Sequence, residues 1–155
     1  SAAAAAPPNP ANSSAISRRD FWSILFEQQK KGMTVFISTS YMDEAERCQR
    51  VAFLDQGRLI AYEPPLQLKQ KMKGVLFELV SEKSRKAKSF LEKEEEVSGT
   101  SLFGEKVHFT LKDEKILEGL KVKLLNAGIE ILSLNKIEPS LEDIFISLKQ
   151  AGEED

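Results

Sequence analysis

The residues of this chain whose chemistry could go beyond packing are few: one histidine, His108, one cysteine, Cys48, and a polar cluster of Ser40, Asp43, Glu44 and Glu46. A lone histidine and a lone cysteine cannot assemble a conventional zinc site, and a single cysteine forms no internal disulfide. Ser40, with Asp43 three residues on, has the spacing of a helix-capping box, with Asp where Glu or Gln is usual. Taken by itself this makes Ser40 a strand-end helix cap. Asp43, Glu44 and Glu46 are then acidic residues favoured at the positive end of a short helix. His108 lies in the alternating stretch VHFTL and reads as a strand-face residue with no catalytic partner near it. Cys48 reads as a small buried thiol. No nucleophile, base and orienting group can be named together, which disfavours a self-contained enzyme.

The 155 residues are 41% hydrophobic, enough for a packed core, and 22 Lys and Arg nearly balance 24 Asp and Glu. A formal charge of -2 gives no field that would gather nucleic acid, so no nucleic-acid partner is expected. No apolar run approaches the roughly 18–20 residues that cross a bilayer. The opening SAAAAAPPNPANSSA lacks the charged start and bulky apolar centre of a secretion signal. A cytosolic, metal-free chain is expected, reaching a membrane only through a partner. Residues 1–16 have almost nothing to bury and are expected to be a disordered linker or an added extension, and 150–155 an acidic tail.

The elements that must position these groups follow from periodicity. Ser17 to Lys31 has apolar residues at Phe21, Trp22, Ile24, Leu25 and Phe26 and a basic last turn before Gly32, which predicts a helix. Met33 to Thr39 is uncharged and suits a parallel strand buried on both faces. A helix is expected over Tyr41 to Arg50. Strands over Arg50 to Asp55 and Arg58 to Glu63 flank a tight turn at Gln56-Gly57, and a helix follows Pro64-Pro65.

From Gly74 the texture becomes strand Val75 to Ser81, a helix with Ala87, Phe90 and Leu91 inward, and strands Val97 to Phe103 and Lys106 to Leu111. A helix with Ile116, Leu117, Leu120, Leu124 and Leu125 on one face comes next, then strand Ile129 to Ile137. The order β-α-β-β-α-β is the split βαβ, or ferredoxin-like, pattern, and a last helix over Ser140 to Lys149 is capped by Ser140 and Asp143. The acidic run EKEEE, Glu92 to Glu96, reads as a solvated helix end.

Three blocks resemble one known family in family order. FISTSYMDEAERCQRVAFLDQGRLIA, Phe36 to Ala61, resembles the segment of ABC transporter ATPases that runs from the switch-histidine strand to the final hairpin. SRRDFWSIL, Ser17 to Leu25, resembles the helix after the D-loop in the branch that exports drugs, antibiotics and polysaccharides. SLEDIFISL, Ser140 to Leu148, resembles the close of the accessory C-terminal domain. The resemblance implies an α/β fold in two parts: the distal part of a P-loop NTPase-type ABC core over 17–73, and a ferredoxin-like α+β accessory domain over 74–149. It also implies a parent subunit that binds ATP and Mg²⁺, pairs with a second ATP-binding domain, and drives a membrane permease from the cytoplasmic face.

Within that resemblance Ser40 stands at the catalytic switch-histidine position. A serine hydroxyl is shorter and neutral, a weaker organiser of a γ-phosphate than histidine. No G-x-x-x-x-G-K-[ST] loop, no strand ending in Asp-Glu ahead of Ser17 and no LSGGQ-like signature occurs in the chain, so by itself it is expected to be inactive and to hold neither ATP nor metal. The D-loop position, Ala11 to Ala15, reads ANSSA, and native sequence is expected to begin near Ser14 to Ser17. Arg18 and Arg19 are compatible with an interface but read as solvent-facing. An apolar strand with open edges is expected to pair with a second copy, by dimerisation or strand exchange. The alternative is a ligand-sensing or dimerising regulatory module with no ATPase role, a choice that a ferredoxin-like fold alone does not make.

Overall fold

The computed structural model describes residues 3–5 and 15–153, and the chain divides into two compact units between Glu44 and Ala45. This division lies upstream of the junction expected near Lys73-Gly74. The hairpin after Cys48 is held in the same unit as the following sheet, with Phe53 edge-on against Phe145 at 5.3 Å.

In the first unit β1 (Ala3–Ala5) pairs in parallel with β2 (Val35–Ile37), and α1 (Ala15–Lys30) lies between them in sequence. Residues 3–5 thus form a strand where a linker was expected, α1 takes in residues 15 and 16, and the remainder of the 1–16 stretch lies outside the described residues. The aromatic face of α1 centres on Trp22, which is buried, with Phe21 at 6.0 Å and Phe26 at 5.8 Å. β2 is shorter than expected, and Phe36 at its centre is 64% exposed while Val35 and Ile37 are half-buried. Successive strand residues point to opposite faces, so a uniformly apolar run is covered twice only where both faces meet a layer. Among the described residues only one face does.

α2 (Met42–Ala45) is a single turn, where a helix to Arg50 was expected. In the second unit β3 (Val51–Asp55) and β4 (Arg58–Glu63) make the expected hairpin. Gln56 and Gly57 both take left-handed backbone, φ 47° and 78°, the pair of positive angles that a two-residue type I′ turn needs to match strand twist. α3 (Pro65–Lys69) starts on a proline, which has no amide hydrogen to leave unpaired, and buries Leu68 completely.

The rest is β5 (Val75–Val80), α4 (Ser84–Leu91), β6 (Val97–Phe103), β7 (Lys106–Leu111), α5 (Leu117–Asn126), β8 (Ser133–Lys136) and α6 (Leu141–Glu153). The sheet order is β6-β7-β5-β8 with every neighbouring pair antiparallel, the arrangement of the split βαβ fold. One face of the sheet carries Phe77, Leu79, Val107, Phe109 and Leu111 against Ala87 and Leu91 of α4 and Leu120 and Leu124 of α5. The rings of Phe77 and Phe109 stack at 5.7 Å. β8 begins later than the expected Ile129, because Ile129 closes α5 instead. Its amide donates to Leu124 O at 3.0 Å, and Gly128, at φ 70°, donates to Leu125 O at 2.9 Å. That is a Schellman motif, which plugs the core with the apolar residue after the glycine.

Candidate functional site

The opposite face of the same sheet sets polar groups among Leu76, Val80 and Phe103. The register sets Glu78 of β5 directly across from His108 of β7, with Ser101 of β6 on the far side, and Val80 across from Lys106. Residues two apart share a strand face, so Glu78, His108 and Lys106 form one cluster. α6 packs over this face.

His108 is the centre of the cluster. Its Nδ1 lies 2.7 Å from Asp143 Oδ1 and its Nε2 lies 3.1 Å from Glu78 Oε2. Phe103 sits beside the ring, with centroids 4.6 Å apart. Lys106 Nζ donates to both oxygens of Glu78, at 3.2 and 3.1 Å. Asp143 is held from its other side by the start of α6: Ser140 donates from N and Oγ to Oδ2, at 2.9 and 2.6 Å, and Asp143 N donates back to Ser140 Oγ at 3.2 Å. This is the expected capping box. One carboxylate therefore caps a helix and grips a histidine on the neighbouring sheet.

Charge in this cluster is stabilised against burial. Burial disfavours the imidazolium, but the bonds to Asp143 and then to Glu78 outweigh it, and His108 is held above the usual histidine range. Burial also opposes ionisation of Asp143, yet the bonds from His108 and then Ser140 keep its carboxyl below the ordinary value. Glu78 is lowered in the same way, with burial opposed by Lys106 and then by His108. His108 lies on a strand face as expected, but the expectation that no partner of catalytic type is near it is corrected: two carboxylates flank its ring. Its partners lie 30 residues before it and 35 after it, on β5 and α6.

A shallow cleft beside the cluster is lined by Ser98, Ser101, His108, Thr110, Ser147 and Gln150. An aspartate behind a histidine can orient a base, but here the second nitrogen is occupied by Glu78, so the ring has no free nitrogen to offer a substrate. The arrangement holds structure in place. Among the described residues no three His, Cys, Asp or Glu side chains converge to hold a metal ion.

The residues singled out in the first unit are arranged differently. Ser40 is exposed between β2 and α2. The turn at α2 is secured from Thr39 rather than by the expected pairing of Ser40 with Asp43: Thr39 Oγ1 donates to Glu44 Oε2 at 2.8 Å and accepts from Tyr41 N at 3.0 Å. Glu44 is buried, with Arg18 Nε at 3.9 Å, and Arg18 also lies 3.8 Å from Asp43 and 5.6 Å over the Tyr41 ring. Arg18 thus belongs to the unit's own packing, while Arg19 is exposed. In the second unit Glu46 pairs with Lys69 at 2.8 Å. Cys48 is half-buried rather than buried, because α2 ends at Ala45 and the helix face that would turn the thiol inward does not form.

Residues 64–148, from the start of α3 through most of α6, match the C-terminal domain of the DrrA1-3-like ATP-binding proteins. The chain belongs to this family of ABC transporter ATP-binding proteins. Over 135 residues, 86% of the chain, it is 34% identical to the probable multidrug ABC transporter ATP-binding protein YbhF of Escherichia coli. It is 29% identical over 141 aligned positions, 85% of the chain, to the daunorubicin resistance ATP-binding protein DrrA2 of Streptomyces coeruleorubidus. A shorter stretch of 53 residues, 34% of the chain, is 43% identical to 15% of the Nod factor export ATP-binding protein I of Neorhizobium galegae. The chain spans 23% of the Escherichia coli protein and 43% of the Streptomyces one. In this ABC family member the clasp of Glu78, His108 and Asp143 falls inside the matched region, whereas Ser40 lies ahead of it. Among the described residues no helix is long and apolar enough to cross a membrane.

Proposed function

We propose that the chain is the C-terminal portion of the ATP-binding subunit of an ABC exporter. The observation that carries this reading is the DrrA1-3-like match over residues 64–148, laid on a ferredoxin-like sheet and preceded in the chain by the block Phe36 to Ala61. The parent subunit binds ATP and Mg²⁺, works with a second ATP-binding domain, and couples hydrolysis to a permease from the cytoplasmic side. The portion in hand has no glycine-rich loop or lysine to cradle phosphates, so alone it does not turn over nucleotide. Ser40 stands where a histidine would organise the γ-phosphate, which makes this a weakened site in the parent. β2, with the exposed Phe36 at its centre, offers an edge for pairing with a second copy.

Calorimetric titration of the 155-residue chain with Mg-ATP tests the reading directly. No saturation tighter than about 1 mM is expected, and micromolar binding would overturn the account of the missing cradle in favour of a ligand-sensing module. In the whole subunit, Ser40→His is expected to raise hydrolysis. An unchanged rate would show that the serine does not limit the site.

A further inference from the structure

Both ring nitrogens of His108 face carboxylate oxygens, Asp143 Oδ1 at 2.7 Å and Glu78 Oε2 at 3.1 Å. A neutral imidazole has one N–H and one bare nitrogen, so in that state one of the two carboxylates meets a lone pair. Only the imidazolium satisfies both. The carboxylates cannot rotate out of the conflict at no cost, because Asp143 Oδ2 already accepts from Ser140 and Glu78 already accepts from Lys106. The charged groups around the ring are Glu78 from β5, Lys106 from β7 itself and Asp143 from α6, with Lys73 along the adjoining cleft. β6 presents Ser101 and Phe103, neither of them charged.

α6 is also tied elsewhere. Leu141 N, in its first turn, donates to Glu46 Oε1 at 3.4 Å, Phe145 packs on Phe53, and Lys149 pairs with Asp55 at 3.3 Å. The helix thus joins residues 46–55 to the four-stranded sheet. An apolar residue at position 108 would seat a helix without the desolvation cost of a buried charge cluster. From this geometry we infer that His108 is a proton-operated latch for α6: as imidazolium it seats the helix start on this face of the sheet through Asp143, and its deprotonation loosens that hold.

The latch is tested on the wild-type chain by ¹⁵N NMR of the imidazole and by hydrogen exchange, normalised for intrinsic rates, across the titration of His108. Both ring nitrogens should carry protons wherever α6 is fully protected. As the ring deprotonates, protection over 141–150 should fall about tenfold, the scale of one charge-assisted hydrogen bond, while the amides of Phe77, Leu79, Val107 and Phe109 stay protected. Asp143→Asn, which keeps a side chain able to cap α6, should move the transition to lower pH, and His108→Phe should abolish it. A neutral ring under a protected helix, α6 protection that does not change with pH, or a midpoint unmoved by Asp143→Asn would each overturn the latch.

Discussion

Alternate residues of the same strands build two unlike surfaces on the four-stranded sheet. Phe77, Leu79, Val107, Phe109 and Leu111 point to one side and pack on α4 and α5, the helices that connect these very strands. Glu78, Lys106 and His108 point to the other, where His108 meets Asp143 of α6, the helix that arrives after the sheet is complete. The apolar surface is held by area and shape, so any residue of similar volume serves it. The other surface adds pairing to packing: His108 joins two carboxylates and Glu78 takes both His108 and Lys106, while Leu141 and Ile144 of α6 are buried. The first surface carries the sheet's own core, and the second ties the last helix to the sheet through Asp143.

Truncation of the apolar face should cost most. Phe109 is fully buried and stacked on Phe77, so Phe109→Ala is expected to lower unfolding free energy by about 3–5 kcal/mol, read from urea denaturation. Phe109→Leu should recover most of that. A loss below about 1 kcal/mol for the alanine would mean that α4 and α5 are not what the sheet rests on. Next in size is Asp143→Ala, which removes the helix cap and leaves His108 with a single carboxylate. The expected cost is about 2–3 kcal/mol, and it should appear as early exchange of α6 amides before the core opens.

The contrast also explains what could be seen in the sequence. The apolar face has period two on the strands and an i, i+3, i+4 repeat on α5, so strand order, helix positions and the split βαβ fold follow from local pattern. Boundaries moved where a local signal had two readings, as at Ile129, whose apolar character fits a strand start and a helix plug equally well. β2 shows the limit of composition: Val35-Phe36-Ile37 is apolar throughout, yet whether both faces are covered depends on layers that the run itself does not specify. On the polar face, Ser140 and Asp143 were legible as a cap because their spacing is local. The grip of Asp143 on His108 was not, since 35 residues separate them. The missed signal was the topology itself. A split βαβ order places β5 beside β7, and their alternation puts Glu78 and His108 on the same face, though the register that sets them opposite is not local. Glu94 teaches the same lesson on a small scale: read as part of a solvated run, it takes the distant Lys123 as partner.

Acidity should separate the two faces without any mutation. His108 is raised, so its contribution is complete below the ordinary imidazole value of about 6.5 and is lost as pH rises through the higher folded value. Asp143 and Glu78 are lowered, so theirs is present above the ordinary carboxylate range of about 4 and is lost as pH falls through the folded values. Stability should therefore crest in mildly acidic solution. Its alkaline decline should be smaller than the loss from Asp143→Ala, because deprotonation leaves packing and cap in place, and His108→Phe should flatten that limb.

Lys106 should matter least, because its side chain is 53% exposed and its pairing with Glu78 is open to water and salt. Lys106→Ala is expected to cost no more than about 1 kcal/mol at neutral pH. Its trace should appear instead on the acid limb. Lys106 leads the groups that hold Glu78 down, so without it the loss of stability should begin at higher pH while the alkaline limb stays put. A Lys106→Ala penalty as large as that of Asp143→Ala would place the anchor of the cluster on its solvent side rather than under α6.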